Sequence, residues 1–211
     1  MLQLEARRKP GFFFACTPGT RAPLHPAPMP KPTPRTALVI VDMVNPLDFP
    51  GAGSLLRQAL PAARRIARLR DRLRPRGVPA IFVNDNFTHW REDFGQLVAI
   101  CSQPTSRGAP LVEALPPGPD DYNLLKPQHS AFYNTPLEVL LGQLGIGRVV
   151  LAGVSTDQCI LASAIDGRMR ELDVVVASDG TASITAARHR NALAVLQEMD
   201  VKVMRCASIR A

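Results

Sequence analysis

The stretch VVLAGVSTDQCILASAI, from Val149 to Ile165, begins as an apolar, β-branched run and breaks at a short polar loop. It resumes as a helix-forming segment with Cys159 near its start. This is a buried strand, a tight loop and a helix, the half-unit of a parallel α/β sheet. The same alternation recurs on both sides. Strands are predicted at 36–43 (TALVIVDM), 79–85 (PAIFVND), 121–127 (DYNLLKP), 148–154 (RVVLAGV), 173–178 (DVVVAS) and 201–205 (VKVMR). Helices are predicted at 54–74, in pieces over 90–115 with breaks at Pro104 and Gly108, and at 135–145, 157–171 and 186–199. Strands separated by helices of this length imply right-handed crossovers. The expected fold is therefore a three-layer α/β domain, a six-stranded parallel sheet with helices on both faces and a Rossmann-like topology.

In such sheets ligands gather outside the carboxyl ends of the strands. That rule selects Asp42, Asn84, Asp85, Lys126, Cys159 and Asp179, each at or just after a strand end. The turn after the first strand, DMVNPLDFPGAG, is neither a dinucleotide fingerprint nor a phosphate-binding loop. There is no G-x-S-x-G nucleophile elbow.

Cys159 stands in the first turn of its helix, with Thr156 or Asp157 expected as the cap. A helix N-terminus favours thiolate over thiol, and its free N–H groups can hold an oxyanion. Cysteine is also a common buried residue, and position alone leaves the two readings balanced. Asp42, at the end of LVIVD, needs a cation, a hydrogen-bond donor or solvent, because an unpaired buried carboxylate is costly. Lys126 would ordinarily be a solvated surface lysine. Together the three supply a nucleophile, a proton acceptor and a cation at one sheet edge. Cys16, Cys101 and Cys206 are widely spaced and form no C-x-x-C pair, so neither a disulfide framework nor a zinc site is expected.

Residues 1–35 read as a separate Pro-rich basic tail, with eight of the twenty prolines, leaving 36–211 as the folded domain. The formal charge of +7 is mostly in that tail, since residues 1–36 carry a net +5. The remaining +2 is a weak nucleic-acid signal. The arginines of RRIARLRDRLR (64–74) suit a solvated amphipathic helix. Nucleic-acid binding and a scaffold role stay as non-enzymatic alternatives. The apolar FFFAC patch is too short for a signal sequence and no stretch reaches membrane-spanning length, so a cytoplasmic protein is expected.

The segments ALVIVDMVNPLDFPG, LLKPQHSAFYNTPLEVLL and VVLAGVSTDQCILASAIDG, in this order, resemble the three signatures of the isochorismatase-like cysteine hydrolases. The resemblance runs from about Thr36 to Arg205. It implies a six-stranded parallel fold and, in the amidase branch, an Asp-Lys-Cys triad at Asp42, Lys126 and Cys159. It also implies a cis peptide at Val154–Ser155 and an oxyanion hole from the backbone N–H groups of Ser155 and Cys159. On this reading Lys126 and the helix terminus favour the Cys159 thiolate. The name-giving isochorismatases cleave a vinyl ether and lack the cysteine, so Cys159 favours the amidase branch. Nicotinamidases share the triad but add an Asp-x-His metal element. Here Asp85 is followed by Phe87 at the histidine position, and His89 lacks the spacing, so neither metal nor other cofactor is expected. Phe49, Trp90, Ser130 and Phe132 are candidate pocket residues, with packing or subunit contacts as the equal alternative. His129 is read as orienting a loop, and Asp179 and Thr181 as capping the following helix. A small amide-like substrate and a homo-oligomer complete the expectation.

Overall fold

The computed structural model describes residues 35–87 and 90–211. The tail predicted for 1–35 lies, but for Arg35, outside the described residues. Six parallel strands form one sheet in the order β3-β2-β1-β4-β5-β6. They are β1 (Arg35–Val41), β2 (Ala80–Asp85), β3 (Tyr122–Lys126), β4 (Ile146–Val154), β5 (Asp173–Ala182) and β6 (Lys202–Met204). The helices are α1 (Ala52–Leu73), α2 (Phe94–Cys101), α3 (Ala109–Ala114), α4 (Leu137–Gln143), α5 (Leu161–Met169) and α6 (Ala186–Glu198). The three-layer fold read from the sequence is the one observed.

Period-two alternation builds both cores from the same strands. Leu38 and Ile40 of β1, Phe82 of β2 and Val150 and Ala152 of β4 face α1, α2 and α3. Val39 and Val41, Ile81 and Val83, and Val149 and Leu151 face α4, α5 and α6 instead. Central strands wetted on neither face are what continuous apolar runs such as ALVIV require.

Helix α1 buries Leu55, Ala59, Ala62, Ala63, Ile66, Leu69 and Leu73 along one stripe. Its arginines are largely committed. Arg70 donates to the Pro116 carbonyl at 2.7 Å and pairs with Asp121, Arg74 pairs with Asp121, and Arg65 lies 3.7 Å from Asp179. Arg72 donates to the carbonyls of Cys206 and Ile209, fastening the last residues of the domain to the helix. RRIARLRDRLR therefore works as an amphipathic helix with stapling arginines.

Two local expectations are corrected. Asp179 and Thr181 do not cap α6, because β5 extends through both. Thr185 is the cap, its hydroxyl accepting from the Arg188 N–H, while Asp179 accepts from the Cys206 N–H at 2.6 Å. The Cys159 helix likewise opens on Ser155, with no side-chain cap from Thr156 or Asp157.

The chain leaves β1 outward to β2 and β3, then returns to place β4 against the other side of β1. This reversal puts a crevice beside the ends of β1 and β4. The two backbones approach closely there. A Cβ on Gly153 would lie 2.0 Å from the Val41 carbonyl oxygen, and Gly153 has φ of +118°. Only glycine fits. Gly153→Ala is expected to destabilise the domain by about 3 kcal/mol or more in urea titration, from steric overlap and backbone strain together.

Candidate active site

Asp42, the residue after β1, sits at φ of +53°, in the left-handed region that Asp tolerates better than bulkier side chains. Its carboxylate is held twice. Oδ1 accepts the Asp85 backbone N–H at 2.7 Å, and Oδ2 lies 2.9 Å from Lys126 Nζ. Lys126, the last residue of β3, is fully buried. Nζ also donates to the Gln128 carbonyl at 3.0 Å and lies 3.6 Å from Cys159 Sγ. The structure thus brings Asp42, Lys126 and Cys159 together from three different strand ends.

Cys159 lies in a π-helical turn, Thr156–Ile160, that precedes α5. The widened turn returns the Ile160 N–H to the Ser155 carbonyl at 3.1 Å, a bond spanning five residues. The Val154–Ser155 peptide before it is cis, as the resemblance implied. Asp157 accepts from the Ser155 hydroxyl and, at 2.6 Å, from Arg188 Nε of α6. Thr156 Oγ1 lies 2.8 Å from His189 Nδ1 of the same helix. Both pairs clamp the turn to α6.

The electrostatics revise one expectation. Burial, then the neighbouring Asp42 carboxylate, pushes the Cys159 thiol up to about 12, outweighing Lys126 and the Ser155 N–H. These causes act against the thiolate that a helix terminus alone would favour. Burial likewise raises Asp42 above the usual carboxylate range, against the pull of Lys126. Burial works against the Lys126 ammonium, but the adjacent Asp42 carboxylate outweighs it and raises Lys126 above its ordinary value. Cys101 and Cys206 are pushed up to about 11 and about 12, chiefly by burial, as inert packing thiols should be.

The remaining candidates separate cleanly. Trp90 is 61% exposed and lines a cavity of about 400 Å³ with Asp85, Asn86, Phe87, Lys126 and Pro127. Phe49, Ser130 and Phe132 do not line it. Phe49 packs against the core under α1. Ser130 donates to Asp166 at 2.6 Å and accepts from the Phe132 N–H. Phe132 is buried beneath the Arg170 guanidinium, 5.1 Å from its ring centre. Ser130 and Phe132 thus brace the loop after β3. His89 lies outside the described residues.

Two residues escaped the sequence reading. His129, taken as a loop-orienting residue, places Nδ1 3.7 Å from Cys159 Sγ. Ser163, fully buried, donates to the Cys159 carbonyl and accepts from the Ala131 N–H, tying the β3 loop to the Cys159 turn. The four-residue spacing from Cys159 was the available signal for Ser163.

The buried pair generates a stability prediction. Lys126→Met leaves the Asp42 carboxylate buried without its cation and is expected to cost about 3–5 kcal/mol in urea titration. Adding Asp42→Asn removes the orphaned charge and restores much of that loss, a coupling visible in a double-mutant cycle. A second prediction concerns reactivity. Asp42→Asn removes the anion that raises the thiol and frees Lys126 to face sulfur. Iodoacetamide alkylation of Cys159 is then faster than in the wild type at each pH between about 7 and 10, read by peptide mass mapping.

Comparison with known proteins gives a consistent assignment. The isochorismatase domain family model matches residues 36–208. An uncharacterized isochorismatase family protein, YaaI of Bacillus subtilis, is 30% identical over 163 residues, covering 77% of this chain and 89% of its own. The ureidoacrylate amidohydrolase RutB of Methylobacterium radiotolerans is 29% identical over 206 residues, covering 85% and 80% respectively. Among solved structures, N-carbamoylsarcosine amidase from Thermoplasma acidophilum superposes with a TM-score of 0.65 at 25% identity, covering 84% of this chain and 99% of that one. A match across nearly all of the described domain, on a fold with the same six-stranded sheet, leaves one conclusion: the chain belongs to the isochorismatase family of hydrolases.

Proposed function

We propose that this protein hydrolyses a C–N amide-type bond of a small molecule through a thioester on Cys159. The carrying observation is the convergence of Lys126 Nζ, 2.9 Å from Asp42 and 3.6 Å from Cys159 Sγ, at the end of the sheet. The names of the amidohydrolase and amidase relatives support C–N rather than vinyl-ether cleavage.

A thiol held near 12 is not ionised beforehand at neutral pH, so its proton leaves as the bond to carbon forms. Asp42, a carboxylate raised by burial, takes that proton while Sγ attacks the carbonyl carbon. The backbone N–H groups of Ser155 and Cys159 hold the oxyanion. Collapse breaks the C–N bond, and Asp42 returns the proton to the departing amine. Water then gives a proton to Asp42 and attacks the thioester. The C–S bond breaks, the acid is released, and sulfur recovers its proton. Lys126 stays protonated throughout, fixing the orientation of Asp42 and offsetting negative charge.

Cytoplasmic residence and assembly into a homo-oligomer belong to the same reading. No helix among the described residues is long and apolar enough to cross a membrane. Exposed Val139 and Met169, on α4 and α5, offer apolar surface to a second copy.

A panel of primary amides, ureides and nicotinamide assayed with wild type and Cys159→Ala tests the proposal. Cys159→Ala is expected to lower kcat by about 10³-fold or more. Mass spectrometry is expected to find an acyl adduct on Cys159 of the wild type. Turnover that persists in Cys159→Ala with no adduct would overturn the nucleophile assignment.

A further inference from the structure

Asp85 has two separate relations to the site. Its backbone N–H belongs to the proposed catalytic base, held 2.7 Å from Asp42 Oδ1. Its side chain does something else. The carboxylate is 38% exposed and lines the cavity that reaches Lys126. Its approach to Lys126 Nζ, 3.8 Å, is too long for a hydrogen bond.

Lys126 is the only cation among the described residues lining that cavity, and it has nothing left to give. An ammonium carries three N–H donors. Those of Lys126 face Asp42 Oδ2 at 2.9 Å, the Gln128 carbonyl at 3.0 Å and Cys159 Sγ at 3.6 Å. Asp42 and Lys126 cancel, so Asp85 leaves the cavity with a net negative charge. Phe87, Trp90 and Pro127 make up the rest of the lining beside Asp85, Asn86 and Lys126. Phe87 and Trp90 are the aromatic members of the lining, and Trp90 stands on the rim at φ of +65°, a conformation rare for a bulky residue. A carboxylate beside aromatic side chains is the chemistry of a cation site.

We infer that Asp85 and Trp90 select small amides or ureides whose end remote from the scissile bond carries an ammonium or similar cationic nitrogen, and that they reject carboxylate-bearing ones. The inference rests on the C–N hydrolase reading for its substrate class, but the charge preference belongs to the cavity and is measurable without turnover.

The decisive experiment labels Cys159 with aminoethyl and sulfonatoethyl methanethiosulfonate, a cation and an anion of similar size. Rates at Cys159 are followed by peptide mass mapping and normalised to free cysteine. The cation-to-anion rate ratio in wild type is expected to exceed that in Asp85→Asn by about tenfold or more at low salt, and the gap is expected to narrow in 1 M salt. Trp90→Leu, a change on the exposed rim, lowers the same ratio by a smaller factor. A ratio unchanged in Asp85→Asn, or a wild type labelled faster by the anion, overturns the inference. In parallel, matched amides bearing an ammonium, a neutral or a carboxylate end are compared by kcat/KM. The ammonium member is expected to lead in wild type and to lose its lead over the neutral one in Asp85→Asn. If no amide is turned over, the C–N hydrolase reading fails while the labelling ratio still decides the role of Asp85.

Discussion

The buried pair between Lys126 and Asp42 is the constraint on which the site depends. A fully buried ammonium is tolerated only beside a compensating charge, so Asp42 fixes where the end of β3 lies relative to β1, across β2. Packing with apolar residues of similar volume would serve stability as well. The ion pair instead holds a carboxylate, raised by burial, beside a thiol that the same burial keeps protonated.

The turn carrying Cys159 is braced from both faces of its helix. Asp157 and Thr156 reach α6, while Ser163 reaches the loop after β3. Cys159, Asp42 and Lys126 follow separate strands, so their relative positions are set by the sheet register and by these cross-braces rather than by any one loop.

How much of this was legible depended on the range of the forces involved. Continuous β-branched runs and helical spacing report burial directly, so the sheet and its layers followed from periodicity. The convergence of strand ends singled out Asp42, Lys126 and Cys159 only among several polar residues, a rule of topology rather than of side chains, and the motif resemblance set those three apart. What escaped was decided in three dimensions. Phe132 and Trp90 are both aromatics near the signature loops, yet one is buried under Arg170 and the other stands on the rim. The burial that raises the Cys159 thiol could not be read, because the position of a helix terminus is visible in sequence, whereas the dryness around it is not. Thr185 displaced Asp179 as a cap because β5 continues past the point where its apolar run ends.

Residue 85 divides its labour between main chain and side chain. The N–H that steadies Asp42 exists whatever non-proline side chain follows it, whereas the carboxylate alone faces the cavity. The position is therefore a point of modularity. Any non-proline residue there would change the group displayed at the doorway while keeping the backbone hydrogen bond that steadies Asp42 behind it.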